Sequence, residues 1–285
     1  MASSFFVVPQ WQGSGSSRAM RLVEGAEAIS GDLPPSSTVV VPVPLGAGSD
    51  QASGVRRLSS IESVRTELLK ALAGADGLPI VIGGDCGVEL GAITHAASRN
   101  KLAVVWFDAH GDLNTPESSP SGAFAGMVLR TLLGDGAEAL VPAAPLAATQ
   151  VILAGTRDLD PGEQDFIAES GIPSLSPDML TPGALADAIR ESGADALYVH
   201  IDLDVLDPSE FGALGAPQPF GITVTDLIEL IREARATLPL VGAGIAQFAP
   251  QSPEHADDEL PTILRIIAAL SSDRAPETTS PTIEA

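Results

Sequence analysis

Apolar residues fall in short continuous runs at 5–8, 38–43, 79–82, 102–107, 151–154, 196–201 and 240–245, most of them closed by Gly, Pro or Asp. Runs of that length, rich in Val, Ile and Leu, read as strands buried on both faces. The segments 58–72, 88–97, 125–133, 162–169, 177–190, 225–236 and 260–270 instead repeat apolar residues every three or four positions, the spacing of amphipathic helices. Thr225 stands where the helix at 225–236 needs an N-cap. Strand and helix in alternation predict an α/β fold with a mostly parallel central sheet covered on both faces. In such sheets ligands bind beyond the carboxyl ends of the strands. Residues 142–148, with two prolines, read as a connection, and 274–285 as a polar, Pro-interrupted tail expected to stay disordered, leaving 1–273 as one domain.

Two of the predicted strands end in acids. The run at 102–107 leads into Asp108, His110 and Asp112 at alternate positions, and the run at 196–201 leads into Asp202 and Asp204. Residues i, i+2 and i+4 of a strand share a face, so each end gathers its polar groups on one side. One such motif alone reads equally well as a loop of solvated acids. Two of them imply a site, because burying four carboxylates together without cations carries a heavy cost in repulsion and lost solvation. Oxygen ligands with one imidazole suit a divalent cation such as Mn²⁺.

Charge narrows the partner. Lys and Arg number 15 against 37 Asp and Glu, a formal net charge of −22 over 285 residues, which argues against nucleic acid or an anionic membrane and favours a cationic or zwitterionic small molecule. Polar or breaker residues interrupt every apolar run well short of a membrane span, and the N-terminal segment lacks the basic region of a signal peptide. Cys86 is the only cysteine, so no intramolecular disulfide can form and a cytoplasmic location is expected.

Four segments in order, Gly83-Gly84-Asp85-Cys86-Gly87, Asp108-Ala109-His110-Gly111-Asp112, Arg157-Asp158-Leu159-Asp160-Pro161-Gly162-Glu163 and Asp202-Leu203-Asp204-Val205-Leu206-Asp207-Pro208, resemble the arginase and agmatinase (ureohydrolase) family. The resemblance implies a three-layer α/β/α fold and two Mn²⁺ ions per chain that activate water for attack on a guanidinium carbon. It further implies that Asp108 and Asp202 bridge the metals, that His110 and Asp204 complete one site, and that Asp112 with Cys86 completes the other. Asp112 also relays a proton in that analogy. Asn114, Ser119 and Ser121 match positions that bind an α-carboxylate, and Asp160 matches the partner of an α-ammonium, which favours a guanidino amino acid over agmatine. Turn capping would use the same serines.

Several positions depart from the family pattern. Cys86 stands where the pattern has His, and a thiolate is a softer, poorer match for Mn²⁺. Ala125 replaces a histidine credited with proton transfer, and Ala123 deletes an amide near the α-amino group. Loss of a positioned acid or base typically costs about two to four orders of magnitude in rate. Gln247 replaces a glutamate that pairs with guanidinium, keeping an acceptor and adding donors. These changes suit a less basic guanidine such as Nω-hydroxy-L-arginine, cleaved to hydroxyurea and L-ornithine. The pattern of Cys86, Ala125 and Gln247 resembles the hydroxyarginine-cleaving branch of the family associated with D-cycloserine biosynthesis. A hydrolase for another guanidino acid and a catalytically inactive metal-binding relative are the competing readings. His200 reads first as a satisfied core histidine, with support of the metal ligands or proton transfer as the alternative, and no role is expected of His95 or His255. Family trimers use in part an arginine at the position of Thr225 and a structured C-terminal extension, so a monomer is expected here.

Overall fold

A computed structural model describes residues 2–272. The predicted tail from 274 onward lies outside the described residues. Eight strands, β1 (Ser3–Val8), β2 (Thr38–Val40), β3 (Leu78–Gly83), β4 (Leu102–Phe107), β5 (Val151–Ala154), β6 (Ser174–Leu175), β7 (Ala196–Asp202) and β8 (Leu240–Ala246), form one sheet in the order β2-β1-β3-β8-β7-β4-β5-β6. Every pair of neighbours is parallel. Alternation within a strand divides the core into two layers: in β4, Val105 and Phe107 pack on one side of the sheet, and Val104 and Trp106 on the other.

The helices are α1 (Met20–Asp32), α2 (Leu58–Leu72), α3 (Glu89–Ala97), α4 (Val128–Leu132), α5 (Pro161–Ser170), α6 (Pro182–Glu191), α7 (Val224–Thr237) and α8 (Pro253–Ser271). Buried residues of α1, α6, α7 and α8 cover one face, and those of α2, α3 and α4 cover the other. The expected three-layer α/β/α arrangement is therefore present.

Several local expectations need correction: α8 begins at Pro253 and not at 260, because Ser252 Oγ accepts from His255 N and Pro253 opens the first turn, and the two-residue β6 is an added strand. The helix α1 is an addition to the expected elements: its buried stripe, Leu22, Gly25, Ala26 and Ile29, has helical spacing, with Gly25 and Ala26 as its weak members. Gly25 is required there, since a Cβ would run into the carbonyl of Phe248. α6 starts at Pro182, not 177, because Thr181 Oγ1 accepts from Ala184 N (3.2 Å) and Pro182 needs no amide partner in the first turn. Thr225 is not the cap of α7: Thr223 is, with Asp226 N donating to Thr223 Oγ1 (3.1 Å) and Thr223 N donating back to Asp226 Oδ2 (3.3 Å). The segment 125–133 is a 3-10 turn, Ala125–Met127, followed by the short α4. Among the described residues no helix is long and apolar enough to cross a membrane.

Candidate metal centre and substrate cavity

The four central strands, β3, β8, β7 and β4, release their chains side by side at one edge of the sheet. Cys86 follows β3, Gln247 follows β8, Asp202 ends β7 with Asp204 in the next turn, and Asp108 follows β4. This adjacency brings together residues up to 161 positions apart.

The acidic segments are not extended as the alternating spacing suggested. After Phe107 the chain curls so that His110 N donates to Asp108 Oδ1 (2.7 Å), and Asp112 adopts a left-handed conformation (φ 51°). At the end of β7 the chain turns again, with Asp204 N donating to Asp202 Oδ1 (2.8 Å). Ala109 N donates to Asp204 Oδ1 (3.1 Å), which ties the two turns together. Arg157 secures them from outside: its guanidinium donates to the carbonyls of Gly155, Asp204, Val205, Gln218 and Pro219. The planar fork of an arginine can serve that many acceptors where a lysine cannot.

Inside this frame, Asp108, Asp112, Asp202, Asp204 and Cys86 are buried. His110 Nδ1 lies 3.1 Å from Asp204 Oδ2 and 3.3 Å from Asp108 Oδ1. Cys86 Sγ donates to Asp202 Oδ2 (3.0 Å). Burial pushes the Asp202 carboxyl up, and the negative Asp204 and Asp108 add to it. Asp112 rises through burial and then the charge of Asp108, while Asp204 rises through burial and Asp108 despite His110. Burial would also raise Asp108, but hydrogen bonding and charge from His110, with His200 adding, hold it below the usual carboxylate range. For His110 burial opposes charge, yet Asp108 and Asp204 raise it strongly. The Cys86 thiol is pushed up by burial and then by Asp202, Asp112 and Asp108.

In such a set the acids outnumber the imidazoles. Asp112 Oδ2 and His200 Nε2 are buried without a hydrogen-bond partner. Donor atoms of Asp108, His110 and Asp204 lie within 4.8 Å of one another, and so do those of Cys86, Asp108, Asp112 and His200. The orphaned carboxylate oxygen and the two overlapping donor groups sharing Asp108 fit a pair of divalent cations.

A cavity of about 670 Å³ opens over the acids, lined in part by Asp112, Asn114, Ser121, Asp160, Ala125 and Gln247. Asn114 Nδ2 donates to Asp160 Oδ2 (2.9 Å), and Ser121 Oγ accepts from Ala123 N (3.1 Å). Ser119 is not among the cavity residues and caps a turn, accepting from Gly122 N (3.0 Å). Gln247 is left-handed (φ 69°), pinned by its N–H to the Gly84 carbonyl (2.8 Å), with Nε2 3.7 Å from Cys86 Sγ. Sequence reasoning missed Arg18 and Arg21 on the cavity wall, because it missed α1 and the loop before it. Glu163, which closes the Arg157–Glu163 segment and was given no role of its own, accepts from Leu113 N and Asp160 N (both 2.9 Å) and so fixes the loop carrying Asp112 and Asn114. Its position one turn after Asp160 in a capping arrangement was the available signal.

The profile described as "Arginase family" matches residues 30–270. The arginase of Bacillus subtilis is 33% identical over 208 residues, 67% of this chain and 68% of that protein. The crystal structure of Entamoeba histolytica arginase in complex with L-ornithine superimposes with a TM-score of 0.83 at 26% identity, over 94% of this chain and 97% of that one. Proclavaminate amidino hydrolase from Streptomyces clavuligerus shares the fold, with a TM-score of 0.72 at 22% identity over 94% of this chain and 91% of that one. With the acidic centre at the carboxyl ends of its central strands, the chain belongs to the arginase family.

Proposed function

We propose that this protein is a binuclear manganese amidinohydrolase that cleaves Nω-hydroxy-L-arginine to hydroxyurea and L-ornithine in the cytoplasm, serves D-cycloserine biosynthesis, and acts poorly on L-arginine. One observation carries the choice of substrate: Gln247, an amide and not a carboxylate, faces the cavity together with Ala125, over the acidic centre. A protonated guanidinium would meet no carboxylate at position 247 and no imidazole at 125. An N-hydroxyguanidine is less basic and pairs with an amide that both donates and accepts.

In this reading Asp108, His110 and Asp204 would hold one metal and Cys86, Asp108 and Asp112 the other, with Asp202, which accepts from Cys86 Sγ, as a further ligand. The cations supply activated water at neutral pH and neutralise the crowded carboxylates. The chain's own groups do the rest. Gln247 orients the hydroxyguanidine over the centre. Ser121 Oγ already accepts from Ala123 N, which leaves its hydroxyl proton for the α-carboxylate, and Asn114 has one amide proton beyond the bond to Asp160 for the same group. Asp160 attracts the α-ammonium. Asp112 would take up the proton released by the attacking water and return it to the departing amine of ornithine.

The test is ornithine release by Mn²⁺-loaded protein, with L-arginine, Nω-hydroxy-L-arginine and 4-guanidinobutyrate in parallel and a chelated control. Metal-dependent turnover of hydroxyarginine is expected, with arginine slower by about two to four orders of magnitude. Faster arginine turnover, or urea from guanidinobutyrate alone, would reassign the substrate; no turnover of any would point to an inactive relative.

A further inference from the structure

Beneath the acidic centre lies a second polar cluster that the scheme above does not use. Glu89, the first residue of α3, is fully buried, as are His200 and Tyr198 on β7. Tyr198 Oη donates to Glu89 Oε2 (2.7 Å), and His200 Nδ1 lies 3.1 Å from Glu89 Oε1. In the tautomer whose Nδ1 proton faces the Glu89 carboxylate, Nε2 keeps its lone pair. That Nε2 has no hydrogen-bond partner and lies 4.0 Å from Asp108 Oδ2. It belongs to the same 4.8 Å group as Cys86, Asp108 and Asp112.

The sheet is built around this arrangement. Trp106 on β4 and Gly244 on β8 are the register partners of His200, and Gly242 is that of Tyr198. The Trp106 ring stacks on the imidazole at 3.7 Å between centroids, and Trp106 Nε1 donates to Asp108 Oδ2 (3.1 Å), so one side chain fixes both the ring plane and the carboxylate. A Cβ at Gly244 would collide with the Glu89 carboxylate, and one at Gly242 would come within 2.8 Å of the Tyr198 ring. The two glycines leave the room that Glu89 and Tyr198 fill.

We propose that His200 Nε2 is a direct ligand of the metal on the Cys86 side, held in tautomer and orientation by Glu89 and Tyr198. The inference rests on the metal reading given under Proposed function. Position 86 contributes a thiol in place of the family's imidazole, and β7 returns an imidazole to the same ion from below. A carboxylate behind a ligating histidine fixes its tautomer and raises its basicity. Glu89 follows Cys86 by three residues through the turn Cys86–Val88, so the thiol and the support of the substitute imidazole arrive on one piece of chain.

A crystal structure of the full chain loaded with Mn²⁺, with anomalous data at the manganese edge, tests this directly. Nε2 of His200 at coordination distance from the ion nearest Cys86 is the expected result. Two ions with Nε2 farther away, or bonded only to water or a carboxylate, would overturn the inference and leave the functional proposal standing. A protein that takes up no metal would overturn both. Calorimetric titration with Mn²⁺ gives an independent readout: His200→Ser should weaken one of the two sites by at least about a hundredfold and leave the other unchanged, and Glu89→Gln should weaken the same site by roughly ten- to a hundredfold. Unchanged isotherms for both variants would refute the assignment. Circular dichroism establishes that each variant folds, and if His200→Ser does not, Glu89→Gln and the loaded wild-type crystal decide.

Discussion

Cys86 is the residue on which the metal chemistry turns. Burial, and then the charges of Asp202, Asp112 and Asp108, push its thiol up, so a cation must displace a proton to bind there as to a thiolate. An imidazole is a harder donor than a thiolate and matches Mn²⁺ better. Cys86→His is therefore expected to tighten Mn²⁺ binding at this site by about tenfold, converted from roughly 1.4 kcal/mol, in a calorimetric titration. An unchanged affinity would remove Cys86 from the ligand set. The carboxylates around it were legible in the sequence because acids directly after apolar strands have few structural explanations. Ser119 was harder to place, since a serine that caps a turn and one that binds a carboxylate look the same in a string. Glu89 could not be placed at all: its partners sit 109 and 111 residues away, and nothing local to α3 points at them. Asp112 and Gln247 both hold left-handed backbones at the cavity, a conformation that costs of order 1–3 kcal/mol per residue and that no side-chain pattern reveals.

Elements show the same division between what composition dictates and what packing decides. The strands of a parallel sheet buried on both faces must be apolar throughout, so the runs at 102–107 and 151–154 coincide with β4 and β5. β6 has two residues, too few to leave a periodic signal, whereas α1 buries Leu22, Gly25, Ala26 and Ile29 at helical spacing, a pattern weakened by Gly25 and Ala26, which carry little hydrophobic weight. Helix starts depend on which hydroxyl reaches which amide. At α7 two threonines compete, and the hydrogen bonds choose Thr223. Thr223→Ala should lower stability by about 1 kcal/mol in chemical denaturation, whereas Thr225→Ala, at an exposed position, should change it by less than about 0.5 kcal/mol. The reverse ranking would restore Thr225 as the cap.

For the molecule as a whole, net charge governs both association and the dependence of folding on metal. With 37 acids against 15 basic residues, copies of this chain repel one another. The start of α7, where family trimers place an arginine, carries the exposed Thr225 and, next to it, Asp226. Size exclusion with light scattering should give a single species near the chain mass of 29.1 kDa, and a stable trimer would refute this. The charge problem is sharpest at the centre, where Asp108, Asp112, Asp202 and Asp204 are buried within one constellation. Protonation relieves the repulsion in metal-free protein but leaves Asp112 Oδ2 without a partner, so the native state without metal carries an uncompensated cost that the unfolded chain does not. Cations that bind only the folded centre stabilise it by mass action, about 2.7 kcal/mol for each site at a hundred times its dissociation constant. Each kcal/mol moves the melting temperature of a domain this large by about 2–4 °C. Removing Mn²⁺ with a chelator should lower the melting temperature by at least roughly 5 °C and stoichiometric Mn²⁺ should restore it; a midpoint indifferent to the chelator would mean that the buried acids do not hold metal in the folded protein.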